Sequence, residues 1–395
     1  MSKKKIAFIL GIRPDIIRAS LIIRLLKKEK KVETVFIWSG QHYSDNLKDV
    51  FFRELDVKKP DIELGCGGES DAEIVSNLIL KLYQVLNDLK PDTAVFLGDT
   101  NTVLGCIAAA QLNIPIVHIE GCMRSYDWRM PEEKNRTIVD HLSDLIYVYL
   151  SEYREQGIRE GLNPNNIIVS GNPIVDVLNK FYFGQKDKFD KLAQDYFLAN
   201  KNIIRKKYYL MTCHRRENVQ DRKSLEAIFN LVAFFKHKIY YPASYRTQKM
   251  IKEFEITLPK NLIMTDPIGY REFILLLTNS RGVLTDSGTV VEEACILNIP
   301  SIQMRKSTER PQVYDVGSSV KFDPTDSIKY PPNLILRKFD KLTNRKWKHN
   351  FGDGKTSEII TKDLINRLIN NGIQRHFPEM YHLPTERSYR EDGLK

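Results

Sequence analysis

Short apolar runs rich in β-branched residues alternate along this chain with longer stretches whose apolar positions recur every three to four residues. Lys5–Leu10 is the first such run, and the segment from about Ile16 to Lys30 reads as the amphipathic helix that follows it. Thr34–Trp38, Thr93–Leu97, Ile114–Ile119 and Leu145–Tyr149 continue the series, with helical periodicity between them. Strands that are apolar throughout are buried on both faces, and a strict β-α order builds a parallel sheet covered by helices on each side. The pattern restarts after Gly171–Pro173, with Tyr208–Thr212, Ile239–Pro242, Leu262–Thr265, Gly282–Thr285 and Ser301–Met304 as a second set. Two doubly wound α/β domains, joined near residues 171–175, are predicted.

In such sheets ligands sit beyond the carboxyl ends of the strands. The polar residues of this sequence gather at those ends. Ile6–Leu10 runs into Gly11–Asp15, Thr93–Leu97 into Gly98–Thr102, and Ile116–Ile119 into Glu120-Gly121. In the second set Tyr208–Thr212 runs into His214–Glu217, and Gly282–Thr285 into Asp286–Thr289. Both domains therefore aim their loops at one cleft.

A length of 395 residues suits two domains of ordinary size. The longest apolar runs, Ile6–Leu10 and Phe273–Leu277, fall far short of the roughly 20 residues of a membrane span. The apolar run behind Lys3–Lys5 ends at Gly11 without a cleavage site, so neither secretion nor membrane insertion is expected. Five widely spaced cysteines in no CxxC pair predict neither a disulfide framework nor a zinc site, and fit a reducing cytoplasm. The net charge of +10 is scattered and accompanies no nucleic-acid-binding signature. A polyanionic small substrate such as a nucleotide diphosphate accounts for a local surplus.

The chemistry suggested by each cluster has a plainer alternative. Asp286–Thr289 ahead of Val290–Leu297 is a strand–turn–helix start, where unsatisfied helical N–H groups bind phosphate, although Ser287 or Thr289 could simply cap the helix. Glu292 and Glu293, one turn on, could accept from ribose hydroxyls or only complement the helix dipole. Arg13 and Arg18 flank the first strand–helix turn, where a forked guanidinium grips phosphate; an arginine within a helix, as at position 18, is otherwise solvated. Asp99 and Glu120 stand at strand ends beside glycine, and Glu132 opens a predicted helix. All three are acid–base candidates, against an N-cap role for Asp99, an Arg124 partnership for Glu120 and a dipole role for Glu132. His214 sits in a polar cluster straight after an apolar strand.

Taken in order, these segments resemble the non-hydrolysing UDP-N-acetylglucosamine 2-epimerase family. The matching stretches are GIRPD (Gly11–Asp15), SGQH (Ser39–His42), GDTNT (Gly98–Thr102), HIEGCMR (His118–Arg124) and PEEKNR (Pro131–Arg136). GNPIVD (Gly171–Asp176), HRREN (His214–Asn218), TDSGTVVEEA (Thr285–Ala294), TERP (Thr308–Pro311) and GDGK (Gly352–Lys355) complete the series. The resemblance implies two Rossmann-like domains in the glycosyltransferase-B arrangement, 1–172 and 173–357, with 358–395 crossing back to the first and the active site in the cleft between them. It implies a UDP-sugar substrate, a homodimer, and no cofactor or metal. Asp99, Glu120, Glu132 and His214 are then the catalytic candidates. Arg13, Arg18, Arg136, Phe273, Ser287, Gly288 and Glu293 are the substrate-binding ones, with Arg136 orienting Glu132 or the sugar.

There are departures from the family pattern. Arg18 stands where lysine is usual, Gln41-His42-Tyr43-Ser44 lacks a second glutamine, and Ser244 replaces a histidine after Tyr241-Pro242. These last two changes put regulation by a second UDP-N-acetylglucosamine in doubt. The short loop Ser125–Met130 looks more like relatives acting on other UDP-2-acetamido sugars, such as UDP-N-acetyl-L-pneumosamine or a diacetamido-uronate. A glycosyltransferase of the same fold, a hydrolysing relative and a catalytically silent sensor are the competing classes.

Overall fold

Helices begin and end here where local chemistry demands it. The first starts at Arg13, earlier than periodicity alone suggests: Ile12 is extended, Pro14 sits in the first turn with its φ already helical, and Asp15 Oδ2 accepts from the Ile12 N–H at 3.3 Å. It ends at Lys28, two residues short of the expected Lys30. The computed structural model describes residues 3–40, 45–200, 202–370 and 372–374.

The first sheet contains β1 (Lys4–Leu10), β2 (Val32–Trp38), β3 (Ile62–Glu63), β4 (Thr93–Leu97), β5 (Ile116–Ile119), β6 (Leu145–Val148) and β7 (Ile167–Val169). The second contains β8 (Tyr208–Thr212), β9 (Lys238–Pro242), β10 (Leu262–Thr265), β11 (Val283–Thr285), β12 (Ser301–Met304) and β13 (Ser319–Phe322). Every pairing is parallel, and Phe8 lies between Phe36 and Val95 in register. The orders are β3-β2-β1-β4-β5-β6-β7 and β10-β9-β8-β11-β12-β13. Both are doubly wound, so the order reverses between β1 and β4 in one sheet and between β8 and β11 in the other. Those reversals open the crevices in which such sheets hold ligands. Three strands escape the sequence pattern, β3, β7 and β13. Each lies at a sheet edge and is only two to four residues long, too short for periodicity to register.

Buried side chains from both sheets join one continuous apolar core, which takes in Val177 and Leu178 of the helix Pro173–Phe181 together with Ile274 and Leu275. The final helix, Thr356–Asn370, packs on the first helix and on Pro173–Phe181. Asp176 accepts from the Thr356 and Ser357 N–H groups at 3.2 and 2.6 Å, and the Tyr147 hydroxyl donates to Asp363 at 2.8 Å. Cys66, Cys106, Cys122, Cys213 and Cys295 are free and buried. No described helix is long and apolar enough to cross a membrane.

Candidate active site

The first-sheet wall of the cleft is built by turns that end β4 and β5 and by the helix Pro131–Leu142. Gly98 turns with φ +83° and delivers Asp99. After β5 the backbone is strained: Glu120 (φ +76°) and Cys122 (φ +60°) adopt left-handed conformations that cost a side-chain-bearing residue energy. Gly121 between them is obligatory, because a Cβ there would collide with Ile146 and come within 2.8 Å of Asp140 Oδ1.

Asp99 is ion-paired to Arg136 and its backbone carbonyl accepts from Asn135 Nδ2 at 3.0 Å. Burial pushes the Asp99 carboxyl up, but the Arg136 and Arg215 guanidiniums outweigh it and leave it below its ordinary value. Glu120 is buried, with Oε2 taken by Arg18 and by the Tyr149 hydroxyl at 2.7 Å, and Oε1 by Arg310 Nη2 at 2.7 Å. Arg124, the alternative partner, turns instead to Asp140 at 2.7 Å and to Glu160 at 2.6 Å. Arg18 is no solvated helix residue: it is buried between Glu120 and Asp15, whose own carboxyl burial pushes up to about 7. Glu132 is half-buried at the helix start and lines the cavity. Its neighbour Glu133 is structural, accepting from the Ser125 and Tyr126 N–H groups and from Arg136.

The second-sheet wall presents donors. Asp286, fully buried after β11, accepts from the backbone N–H groups of His214 and Arg215 at 2.9 Å each and so folds the loop after β8 against it. The His214 ring is about half exposed, with Nδ1 3.7 Å from Asp286. Arg215 Nη1 is buried with no hydrogen-bond partner among the described residues. Ser287 caps the helix Gly288–Ile296 by accepting from the Val290 N–H at 3.4 Å, so the plain reading and the anion-binding reading of this turn coexist. Gly288 must lack a Cβ because Arg310 packs directly against it. Arg310 in turn pairs with Glu309 and Glu120 and approaches Glu292 at 3.0 Å without hydrogen-bond alignment. Burial pushes Glu309 up, but Arg305, Arg310, Arg136 and Arg215 hold it well below the usual carboxylate range.

These walls enclose a cavity of about 270 Å³ that Arg18, Asp99, Glu120 and Glu132 line from one side and His214, Arg215, Ser287 and Gly288 from the other. Arg310 reaches across its floor to Glu120, and at its rim Arg216 bridges to Asp71, with Nη2 to Oδ1 at 2.8 Å. Arg246 flanks that bridge; burial and the nearby Arg216 charge lower its pKa. Not every predicted residue comes to the cavity. Arg136 lies behind Asp99 and pairs with Asp99 and Glu133, rather than with Glu132. Glu293 is buried off the cavity among the Tyr270 side, and burial pushes its carboxyl up to about 8. Phe273 is half-buried against the core rather than on the cavity lining. The side chain of Arg13 and the stretch 41–44 lie outside the described residues. Ser244 caps the helix Tyr245–Glu253, accepting from the Thr247 N–H at 3.2 Å.

Sequence reasoning missed Arg310, Glu309 and Tyr149 as contributors, and named Asp286 and Arg215 only as members of the loops Asp286–Thr289 and His214–Glu217. For Arg310 and Glu309 the TERP stretch was the available signal; Tyr149, closing an apolar strand, had none. Among the described residues no group of three or more His, Cys, Asp or Glu side chains could hold a metal ion.

Residues 24–365 match the family model described as UDP-N-acetylglucosamine 2-epimerase. The chain is 37% identical over 371 residues to the UDP-N-acetylglucosamine 2-epimerase of Methanocaldococcus jannaschii, covering 91% of this chain and 98% of that protein. A solved structure of the M. jannaschii UDP-GlcNAc 2-epimerase in complex with UDP-GlcNAc and UDP superposes with a TM-score of 0.83 at 35% identity, over 92% of this chain and 99% of that one. The UDP-2,3-diacetamido-2,3-dideoxy-D-glucuronate 2-epimerase of Pseudomonas aeruginosa is 31% identical over 326 residues, 80% of this chain and 87% of that protein.

Proposed function

The chain belongs to the UDP-N-acetylglucosamine 2-epimerase family, and we propose that its cleft interconverts UDP-N-acetylglucosamine and UDP-N-acetylmannosamine. The observation that carries this reading is the convergence of three carboxylates and a capped helix N-terminus on one cavity.

The C2 hydrogen of the hexosamine is not acidic, because that carbon bears no carbonyl. Elimination solves the problem. A base takes the C2 proton as UDP leaves C1, giving a 2-acetamidoglucal; a proton then returns to C2 on the opposite face as UDP adds back. Two groups flanking C2 and a cationic cradle for the departing diphosphate are required. Asp99, Glu120 and Glu132 supply the first requirement. His214, Arg215, Ser287 and Gly288 supply the second, and Arg18 and Arg310 hold Glu120 between the two. The family pattern also implies UDP contacts for Arg13, Phe273 and Glu293, the last two of which lie off the cavity lining, and Arg136 sets the orientation of Asp99.

The diacetamido-uronate reading is favoured less, since that relative matches over a smaller share of the chain than the UDP-N-acetylglucosamine enzyme does. We divide the chain into domains 1–172 and 173–357 and a segment 358–395 that returns along the helix Thr356–Asn370; residue 371 and residues 375–395 lie outside the described residues. A cytoplasmic homodimer is the assembly proposed; for the dimer, the exposed Leu80 and Tyr83 on the helix Asp71–Leu89 offer an apolar face. NMR of UDP-N-acetylglucosamine with the enzyme is the test. Appearance of UDP-N-acetylmannosamine without accumulating free N-acetylmannosamine supports the reading. An inert UDP-N-acetylglucosamine beside a turned-over diacetamido-uronate would replace it.

A further inference from the structure

His118 is a fully buried imidazole in the middle of an apolar strand, β5, where packing alone asks for another aliphatic side chain. Its ring spans two parts of the site. Nε2 lies 2.8 Å from the Gly98 carbonyl oxygen, immediately before Asp99, and Nδ1 lies 2.7 Å from Asp140 Oδ1. Asp140 stands about two turns along from Glu132 on the helix Pro131–Leu142. Its other oxygen accepts from the Cys122 N–H at 3.0 Å, pinning the strained turn that carries Glu120, and from Arg124 at 2.7 Å. Both ring nitrogens thus face oxygens that hold other parts of the site, the Gly98 carbonyl and the Asp140 carboxylate. Arg124 is clamped to Glu160 in turn, which extends the chain beyond Asp140.

We infer that His118, held by Asp140, is a positioning residue for the epimerisation: one buried ring ties the Gly98-Asp99 turn, the Glu120–Cys122 turn and the Glu132 helix into a single frame. The inference rests on reading those three carboxylates as the acid–base groups. The reaction gives the frame its purpose. Proton removal and proton return occur on opposite faces of one carbon, so the groups concerned must keep their spacing to within a fraction of an ångström. A misplacement of about 1 Å costs on the order of 10²-fold in rate. A frame that slackens should also uncouple the two halves of the reaction, letting UDP and the glucal leave before re-addition.

The ring's two bonds can be cut separately. His118→Asn keeps a donor near Nδ1 for Asp140 and loses Gly98; His118→Gln keeps one near Nε2 for Gly98 and loses Asp140. His118→Leu fills the space with neither. Turnover should fall about 10-fold to 10²-fold in the two amide variants and further in the leucine variant. KM for UDP-N-acetylglucosamine and the Kd of UDP should stay within about threefold, and the fraction of turnovers ending in free UDP and 2-acetamidoglucal should rise. If His118→Leu fails to fold, the two amide variants and Asp140→Asn carry the same readouts. Turnover within twofold of wild type with unchanged glucal release would overturn the inference. So would losses that follow melting temperature and UDP affinity together, the pattern of a merely structural residue. A wild-type enzyme that does not epimerise UDP-N-acetylglucosamine would instead refute the proposed activity, a separate failure.

Discussion

The two walls of the cleft are built on the same doubly wound plan, yet they handle their polar groups in opposite ways. On the first-sheet wall Asp99 and Glu120 are already engaged, by Arg136 and by Arg18, Arg310 and Tyr149, on turns locked by strained backbone. On the second-sheet wall donors are left open: a half-exposed His214, an Arg215 Nη1 with no hydrogen-bond partner among the described residues, and the N-terminus at Gly288. Proton transfer to carbon tolerates little error in position, so its groups are braced before substrate arrives. Diphosphate binding needs hydrogen-bond capacity held in reserve. The contrast is between braced anions and waiting donors.

The largest effect should come from breaking only the first wall. Asp99→Asn, Glu120→Gln and Glu132→Gln should each lower kcat by about 10²–10⁴-fold while UDP affinity, measured by calorimetry, changes little. Any one that retains near-normal turnover drops out of the acid–base set.

Arg310→Met should damage both walls at once, because Arg310 packs under Gly288 and pairs with Glu120, Glu309 and Glu292. Stripping a buried guanidinium from its carboxylates typically costs about 3–5 kcal/mol, so denaturant unfolding should show a loss of that order together with weaker UDP binding. A variant of full stability and normal UDP affinity would separate the walls completely.

Glu293 offers a smaller, pH-dependent test. Burial raises its carboxyl to about 8, above the 4.5 of the unfolded chain. Below 4.5 the group is protonated in both states and its contribution is fully present. As pH rises from 4.5 to 8 the unfolded chain loses the proton first, so stability falls through that window. Glu293→Gln should remove roughly 1–3 kcal/mol of that decline, read from urea unfolding of the ligand-free protein at pH 5 and pH 8.

The smallest effect belongs to the rim. The Arg216–Asp71 bridge is about two-fifths exposed on each side and is worth less than about 1 kcal/mol. Asp71→Asn should shift KM by about two- to threefold, and less at high salt.

Much of this was legible beforehand because it depends on short-range pattern. Long β-branched strands declare themselves, and chemistry at strand ends follows from the doubly wound plan, so Asp99, Glu120, Glu132, His214, Ser287 and Gly288 were identified as candidates and all line the cavity. What stayed hidden depends on three-dimensional closure. Glu120 meets Arg310 across 190 residues of chain, and Arg18 is buried only because Asp15 and Glu120 come to its two sides. Local spacing suggested Arg124 for Glu120; the left-handed turn at Glu120 sends the side chain elsewhere. The edge strands β3, β7 and β13 were invisible for the opposite reason, being fixed by neighbours rather than by their own few residues.

The central claim is that the carboxylates of the first wall exchange the C2 proton while the waiting donors hold UDP. Running UDP-N-acetylglucosamine to equilibrium in heavy water and reading C2 by NMR tests it most directly. The account predicts deuterium at C2 of the epimer in wild type, and its loss together with turnover in Asp99→Asn, Glu120→Gln and Glu132→Gln. An epimer that keeps its original C2 hydrogen would contradict it.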